Sequence, residues 1–512
     1  MVRRCYIDSA GWLDGGAWVA GDMGIWFFIS NFRELRRGGI NHYVATAIED
    51  IMSSARSLHH KFSPTAAVRN SSRRWIDAPL QDDRKTTVSI NHDALDKFAS
   101  EITQSILANQ SLEVTEWDTD GWHYTGTNYK KGECDDNYCE LMRMERVALY
   151  VLTLDAINFC FWPLSSVTEK SDTSNAKNGL EYEHLAVAIR KVAEEDDEEM
   201  IQVDEDGRVD NATIIIRAAS SYALSPANLA ALTPTKLQSM FQPHFPPSSL
   251  LQEKDSDEDT SLTIYELPNI EVRCQLLNEL GTGLLEHHNG SALHMIAKAN
   301  NSADALVGIM LDTFPGFRDY VDTNEWTAPQ SPTCEWESAK SSPSVIHFYK
   351  RAQIATADIW AALGRHHGSS SSSALGTNVN LRICQFNDMD LVTTFPDYRV
   401  PQILRHVDVL QYESSLAKLV DGQVELEKGG IDEVSIRAGT VVAVEEIVQK
   451  VKEEIISSVA AGGDSERSEN DLRKLADDVS AVTIDWYLWQ KGEKLDRLNL
   501  LGSHHRVRTT FY

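Results

Sequence analysis

The chain has 512 residues, 42% of them hydrophobic and 8% aromatic, enough apolar material for one large domain or two ordinary ones. Its 76 acidic against 48 basic side chains give a formal net charge of -28. That balance disfavours a function whose affinity comes from neutralising nucleic-acid phosphates, and it suits a small-molecule substrate without a stable nucleic-acid partner.

Residues 1–87 have weak periodicity and are read as an N-terminal appendage with no assigned role; the organised domain is expected over 88–512. The first apolar stretch, near 25–29, follows Asp8, Asp14 and Asp22 and is far too short to span a bilayer, and no other run reaches ~18 uncharged apolar residues. The expectation is a cytoplasmic protein, or one shared with the nucleus.

From Asn91 to Leu107 the spacing of Leu95, Phe98, Ile102 and Ile106 predicts a helix. The run ERVALYVLTLDAINFCFWP, Glu145 to Pro163, predicts a buried central helix that ends at the proline. Acidic stretches near 194–210 and 252–261 and the serine run within 366–378 are read as loop insertions. Helical spacing recurs over 268–280, 303–314, 349–363, 401–412, 440–459 and 471–490, whereas extended patterns are confined to Thr213–Arg217 and Glu433–Arg437. The expected fold class is therefore all-α, with few short strands.

Seven scattered cysteines suit free thiols in a reducing compartment. The one close pair, Cys134 and Cys139, matches no common zinc spacing, and neither a metal nor an organic cofactor is expected.

No phosphate-cradling glycine loop, serine elbow or His-Glu-x-x-His motif is present, and what remains is a set of carboxylates among aromatics. Asp155 lies within the apolar run, where helical spacing would place it on one face with Asn158, Phe159 and Trp162. Burial demands a partner for it, either a neighbouring helix or a substrate. Asp397, in TTFPDYRVPQILRHV, stands just ahead of a helix start, a position that suits an N-cap as well as a cleft lined by Phe395 and Tyr398. Asp485, in VTIDWYLWQKGEK, shares a helix face with Trp489, and Trp486 shares one with Gln490; that pattern by itself also fits a solvent-facing acid beside core rings. Lys350 and Arg351 stand in the first turn of FYKRAQIATADIWAAL, where cations oppose the helix dipole. They are read as an anion site or as a solvent-facing or salt-bridged pair.

These segments, with FPGFRD, EVSIRAGTVVAVEEI and the C-terminal HHRVRTTFY, resemble in order the queuosine 5'-phosphate N-glycosylase/hydrolase family over residues 88 to 512. The resemblance implies a helical fold akin to the helix-hairpin-helix DNA glycosylases that acts on a free nucleotide, releasing queuine and ribose 5-phosphate. It implies Asp397 as the catalytic carboxylate, Phe395 as a ring on the base, and Asp485 and Trp486 as base-pocket residues. His123, in GWHYTG, corresponds to a pocket histidine. The family tends to have Tyr after the second Asp and an acid four positions later, where this chain has Trp486 and Gln490. Lys350 and Arg351 become candidates for the 5'-phosphate, and Asp155 for orienting water. The contrasting reading is a catalytically silent nucleotide-binding or scaffold protein on the same fold.

Overall fold

The computed structural model describes residues 62–78, 86–112, 114, 117, 121–126, 136–161, 181–200, 222–245, 267–326, 335–365, 382–460 and 469–512. The body is built by helices α1 (Pro64–Ile76), α2 (His92–Asn109), α3 (Asp136–Ala156), α4 (Tyr182–Met200), α5 (Ile270–His287), α6 (Ala303–Thr313), α7 (Lys350–Leu363), α8 (Arg399–His406), α9 (Ile431–Ala460), α10 (Glu469–Asp477) and α11 (Ala481–Arg497). Strands are short: β1 (Val88–Ile90), β2 (Tyr320–Asp322), β3 (Val345–His347) and β4 (Leu410–Tyr412), paired antiparallel as β1 with β4 and β2 with β3. The chain is mainly helical, as its periodicity implies.

Local chemistry sets several helix starts. Ser63 accepts from the Ala66 N–H ahead of Pro64, and Asn91 does the same for α2. Ser480 and Thr483 form a reciprocal capping box for α11. α1, which falls inside the segment read as an appendage, packs against α9 and β3.

Two large apolar cores and a small third cluster around Ile346, Phe348, Val434 and Ala438 result among the described residues. Of the large cores, one gathers α3, α5, α6 and α7; the other gathers α2, α8, α9, α10 and α11. The segment 392–400 crosses between them, with Val392 and Phe395 in the first core and Val400 in the second. It is clasped by Gln353 of α7, whose amide oxygen accepts the Thr393 N–H at 2.9 Å and whose Nε2 donates to Thr393 Oγ1 at 2.9 Å. The cleft described below lies along this crossing.

Several expectations need correction. α3 ends at Ala156, not at Pro163, because two buried arginines take over its terminal carbonyls: Arg351 donates to Ala156 O, and Arg273 to the carbonyls of Ile157, Phe159 and Cys160. Asn158 therefore lies beyond the helix and shares no helical face with Asp155. Glu433–Arg437 is helical, within α9, where all five residues are buried and Glu433 and Arg437 meet one turn apart at 3.6 Å. Five alternating residues could not outweigh the long helix around them.

The helix expected over 401–412 stops at His406, and Leu410–Tyr412 pairs with β1 after a left-handed turn at Asp408. The segment 471–490 is two helices divided before Ser480. The acidic stretch near 194–210 begins inside α4, which runs to Met200. Its remainder, the insertions 252–261 and 366–378, and the strand expected at Thr213–Arg217 lie outside the described residues.

Candidate active site

A cavity of about 690 Å³ opens between the segment that follows α3, one face of α7 along its length, the 395–398 turn and one face of α11. That volume matches a small-molecule site of about 300–1,000 Å³. Asp397 lines it while also serving the backbone. Its Oδ1 accepts from the Arg399 N–H at 2.8 Å and the Val400 N–H at 3.0 Å, closing the first turn of α8. Asp397 stands one residue before the N-cap, Tyr398, so it serves the first turn from outside the helix while it lines the cavity, and Oδ2 makes neither of these bonds.

Lys350, 3% exposed, also lines the cavity. Burial lowers its pKa, and the nearby charges of Asp397 and then Asp155 oppose that fall. Burial raises the Asp397 carboxyl, with Lys350 the largest influence holding it down, followed by the two backbone N–H groups.

Asp485 lies deeper, 3% exposed, and its Oδ2 accepts from the Thr394 hydroxyl and from the Phe395 N–H at 2.8 Å. Burial, reinforced by the Asp397 charge, pushes it up to about 8. Both carboxyls are raised by burial, and at each Lys350 and two hydrogen-bond donors oppose the rise; what sets Asp485 apart is the added Asp397 charge, which helps to hold it neutral near pH 7.

Rings form the walls. Trp486 stacks on Trp360 with centroids 6.1 Å apart and planes 18° from parallel, and the Arg365 guanidinium lies 5.5 Å and 5.7 Å from the two rings. Trp489 meets Trp122 and Tyr182 edge-on at 6.1 Å and 5.7 Å. His123 stacks on Trp117 at 3.6 Å and lies 3.3 Å from the Tyr150 hydroxyl. Burial, and then the Arg190 charge, push this histidine down to about 3, so it is neutral. Phe395, Tyr398, Asn158 and Gln490 complete the lining expected from sequence.

Two residues named from sequence do not line the cavity. Asp155 is fully buried behind it; burial raises it to about 7 against the pull of Lys350, Asn158 and Arg351. Arg351 points away, its guanidinium bound to the carbonyls of Ala156 and Gly316 and flanked by Phe159 and Phe317. The structure also brings in residues that sequence reading missed. Glu493, Lys494 and Arg497 follow Asp485 and Trp486 at helical spacing and extend the same face of α11, so periodicity could have found them. Trp117, Trp122, Tyr182 and Tyr512 carry no such signal.

Among the described residues, the carboxylates of Glu181, Glu183 and Glu493 approach within 4.8 Å of one another. Two of the three are paired with cations: Arg399 Nε lies 2.7 Å from Glu493, and Arg497 donates to Glu183 at 3.3 Å. Gly492 permits the first of these pairs, since a Cβ there would stand 2.7 Å from Arg399 Cδ.

Fold and cleft together define a mainly helical protein built around a nucleotide-sized, ring-walled site lined by a buried carboxyl and a buried lysine whose charges influence each other. The model of the family described as queuosine salvage protein matches residues 139–221 and 227–512, and the chain belongs to that family. It is 28% identical to a Dictyostelium discoideum protein named queuosine 5'-phosphate N-glycosylase/hydrolase, across 83% of this chain and 94% of the relative. A Sphaerobacter thermophilus protein of the same name is 28% identical across 72% of this chain and 82% of its own length. A mouse protein, also so named, is 31% identical across 49% of this chain and 60% of its own.

Proposed function

We propose that this chain hydrolyses the N-glycosidic bond of queuosine 5'-phosphate, releasing queuine and ribose 5-phosphate. The observation that carries the reading is Asp397, a cavity-lining carboxylate whose Oδ1 is fixed by two backbone N–H groups and whose charge is supported by Lys350. Family membership and the names of the relatives supply the substrate.

The chemistry suits this substrate. Queuine is a 7-deazaguanine, so carbon replaces the N7 at which an ordinary purine leaving group is protonated. Departure of the base then depends more on the sugar side, where positive charge develops at C1'. A carboxylate held beneath that carbon stabilises the cation without reorganising. Water adds its oxygen to C1' as the C1'–N9 bond breaks and its electron pair leaves with the base; one proton of the water goes to Asp397, the other stays on the new C1' hydroxyl, and Asp397 passes its proton through solvent to the departed base, which restores the carboxylate. Asp485, neutral near pH 7, is suited to donate a hydrogen bond to a base acceptor and spread the leaving group's charge. Trp486, Phe395 and Trp489 offer flat apolar surface to the base.

The phosphate is assigned to the cations that line the cavity, Lys350 together with Arg365, Lys494 and Arg497, in place of Arg351. A net charge of -28 argues against a nucleic-acid substrate. Among the described residues no helix is long and apolar enough to cross a membrane, and a base salvaged for tRNA modification supports a cytoplasmic assignment.

Incubating the purified protein with queuosine 5'-phosphate and resolving free queuine by chromatography tests the reading. Wild type is expected to release queuine, and Asp397→Asn, with an unchanged thermal transition, is expected to release none. Release by the variant at the wild-type rate removes Asp397 from the chemistry, and binding without release by the wild type supports the silent binding protein.

A further inference from the structure

The turn bearing Asp397 and the helix end bearing Lys350 are held by one ion pair that itself takes no part in lining the cavity. Arg437 of α9 and Asp319 are each 1% exposed. The guanidinium grips the carboxylate with both ends, Nη1 to Oδ1 at 2.9 Å and Nη2 to Oδ2 at 2.6 Å. Its Nε donates to the carbonyl of Pro396 at 3.0 Å, one residue before Asp397, and Nη1 also lies 3.6 Å from Glu433. The plane is confined between the rings of Phe348 at 4.1 Å and Tyr512 at 4.5 Å.

Asp319 works on the other segment. Its carbonyl accepts the N–H groups of Phe348 at 2.9 Å and Tyr349 at 3.1 Å, and its carboxylate accepts the Lys350 N–H at 3.3 Å. Tyr349 has φ of +52°, a left-handed backbone that a tyrosine rarely adopts, and these bonds hold it there. The bend at Tyr349 starts α7 and sends the Lys350 side chain into the cavity.

We infer that Asp319 and Arg437 are positioning residues that fix the spacing between the Asp397 carboxylate and the Lys350 ammonium. This rests on the reading of Asp397 as the reacting carboxylate. A buried ion pair is weak evidence for stability as such, because apolar residues of similar volume often serve a fold equally well. What such residues cannot supply is the planar fork, which meets Asp319 with two donors and the Pro396 carbonyl with a third, and so ties two distant segments in one rigid unit. A lysine retains the charge but not the fork.

The test compares wild type, Arg437→Lys, Asp319→Asn and Asp397→Asn in the full chain, with Ile447→Ala, a fully buried position in the second core, as a destabilised control. Turnover of queuosine 5'-phosphate, KM, queuine affinity and the thermal transition are measured for each. Arg437→Lys and Asp319→Asn are expected to lose on the order of 100-fold in kcat, with KM and queuine affinity changed by about twofold or less. Ile447→Ala is expected to lose stability and keep kcat.

A folded Arg437→Lys with kcat within about threefold of wild type overturns the inference, as does a kcat loss matched by Ile447→Ala at equal stability. If neither Arg437→Lys nor Asp319→Asn folds, the pair is structural and the inference is rejected. Wild-type turnover by Asp397→Asn instead sinks the underlying assignment, whatever the other variants do.

Discussion

Replacing Asp485 by Asn should stabilise this protein in a way that grows with pH. The carboxyl is held at about 8 in the folded chain, raised from 3.8 by burial and by Asp397. For a raised acid the sign is definite: the folded state keeps its proton longer than the unfolded chain, so the stability present below pH ~4 is progressively lost up to the folded value near 8. A shift of about four units corresponds to an upper bound of about 5 kcal/mol, of which about 4 kcal/mol falls between pH 5 and pH 8. Asparagine is nearly isosteric and never ionises; its Oδ1 can accept from the same Thr394 hydroxyl and Phe395 N–H.

Denaturant unfolding of wild type and Asp485→Asn at pH 5, 6.5 and 8 should therefore show a stability difference in favour of the variant that widens as pH rises. In turnover assays the wild type should lose kcat above pH ~8, as the donor proton is lost, whereas the variant should keep a flat alkaline limb from whatever rate it retains. A stability difference constant across this range would refute the account of Asp485 as a neutral buried acid, and with it the donor role proposed for it.

Other substitutions separate the remaining roles. Lys350→Met removes the strongest support for an ionised Asp397, and the acid limb of kcat should move up by about one to two pH units in a pH–rate profile. Arg351→Met strips the end of α3 of a donor and should cost about 3 kcal/mol in an unfolding titration, yet leave the preference for phosphorylated over unphosphorylated queuosine unchanged. Trp486→Ala should weaken queuine binding by about 1 kcal/mol in a titration, without moving either limb of the pH profile.

Much of this architecture was legible because it depends on short-range periodicity. The apolar spacing at 92–109, 303–313 and 350–363 specifies helices whose one-sided burial can be met in any helical packing. Where two local patterns compete, the sequence misleads. Glu433–Arg437 alternates like a strand for five residues, yet as part of a 30-residue helix it brings an acid and a cation together one turn apart. The end of α3 is similar, since its true stop is set by arginines more than 100 residues away and not by the nearby proline.

The same division runs through the site. Residue types and their spacing mark out the groups able to do chemistry: carboxylates beside rings at 395–398 and 485–486, and a cation pair at the start of α7. The choice between neighbours comes from packing. Lys350 and Arg351 are adjacent and differ by about 100° around the helix, so packing alone sends one into the cavity and the other to backbone carbonyls. Likewise, nothing local pushes the Asp485 carboxyl up to about 8. Burial and mutual charge do that, and these exist only once segments nearly a hundred residues apart share one low-dielectric space.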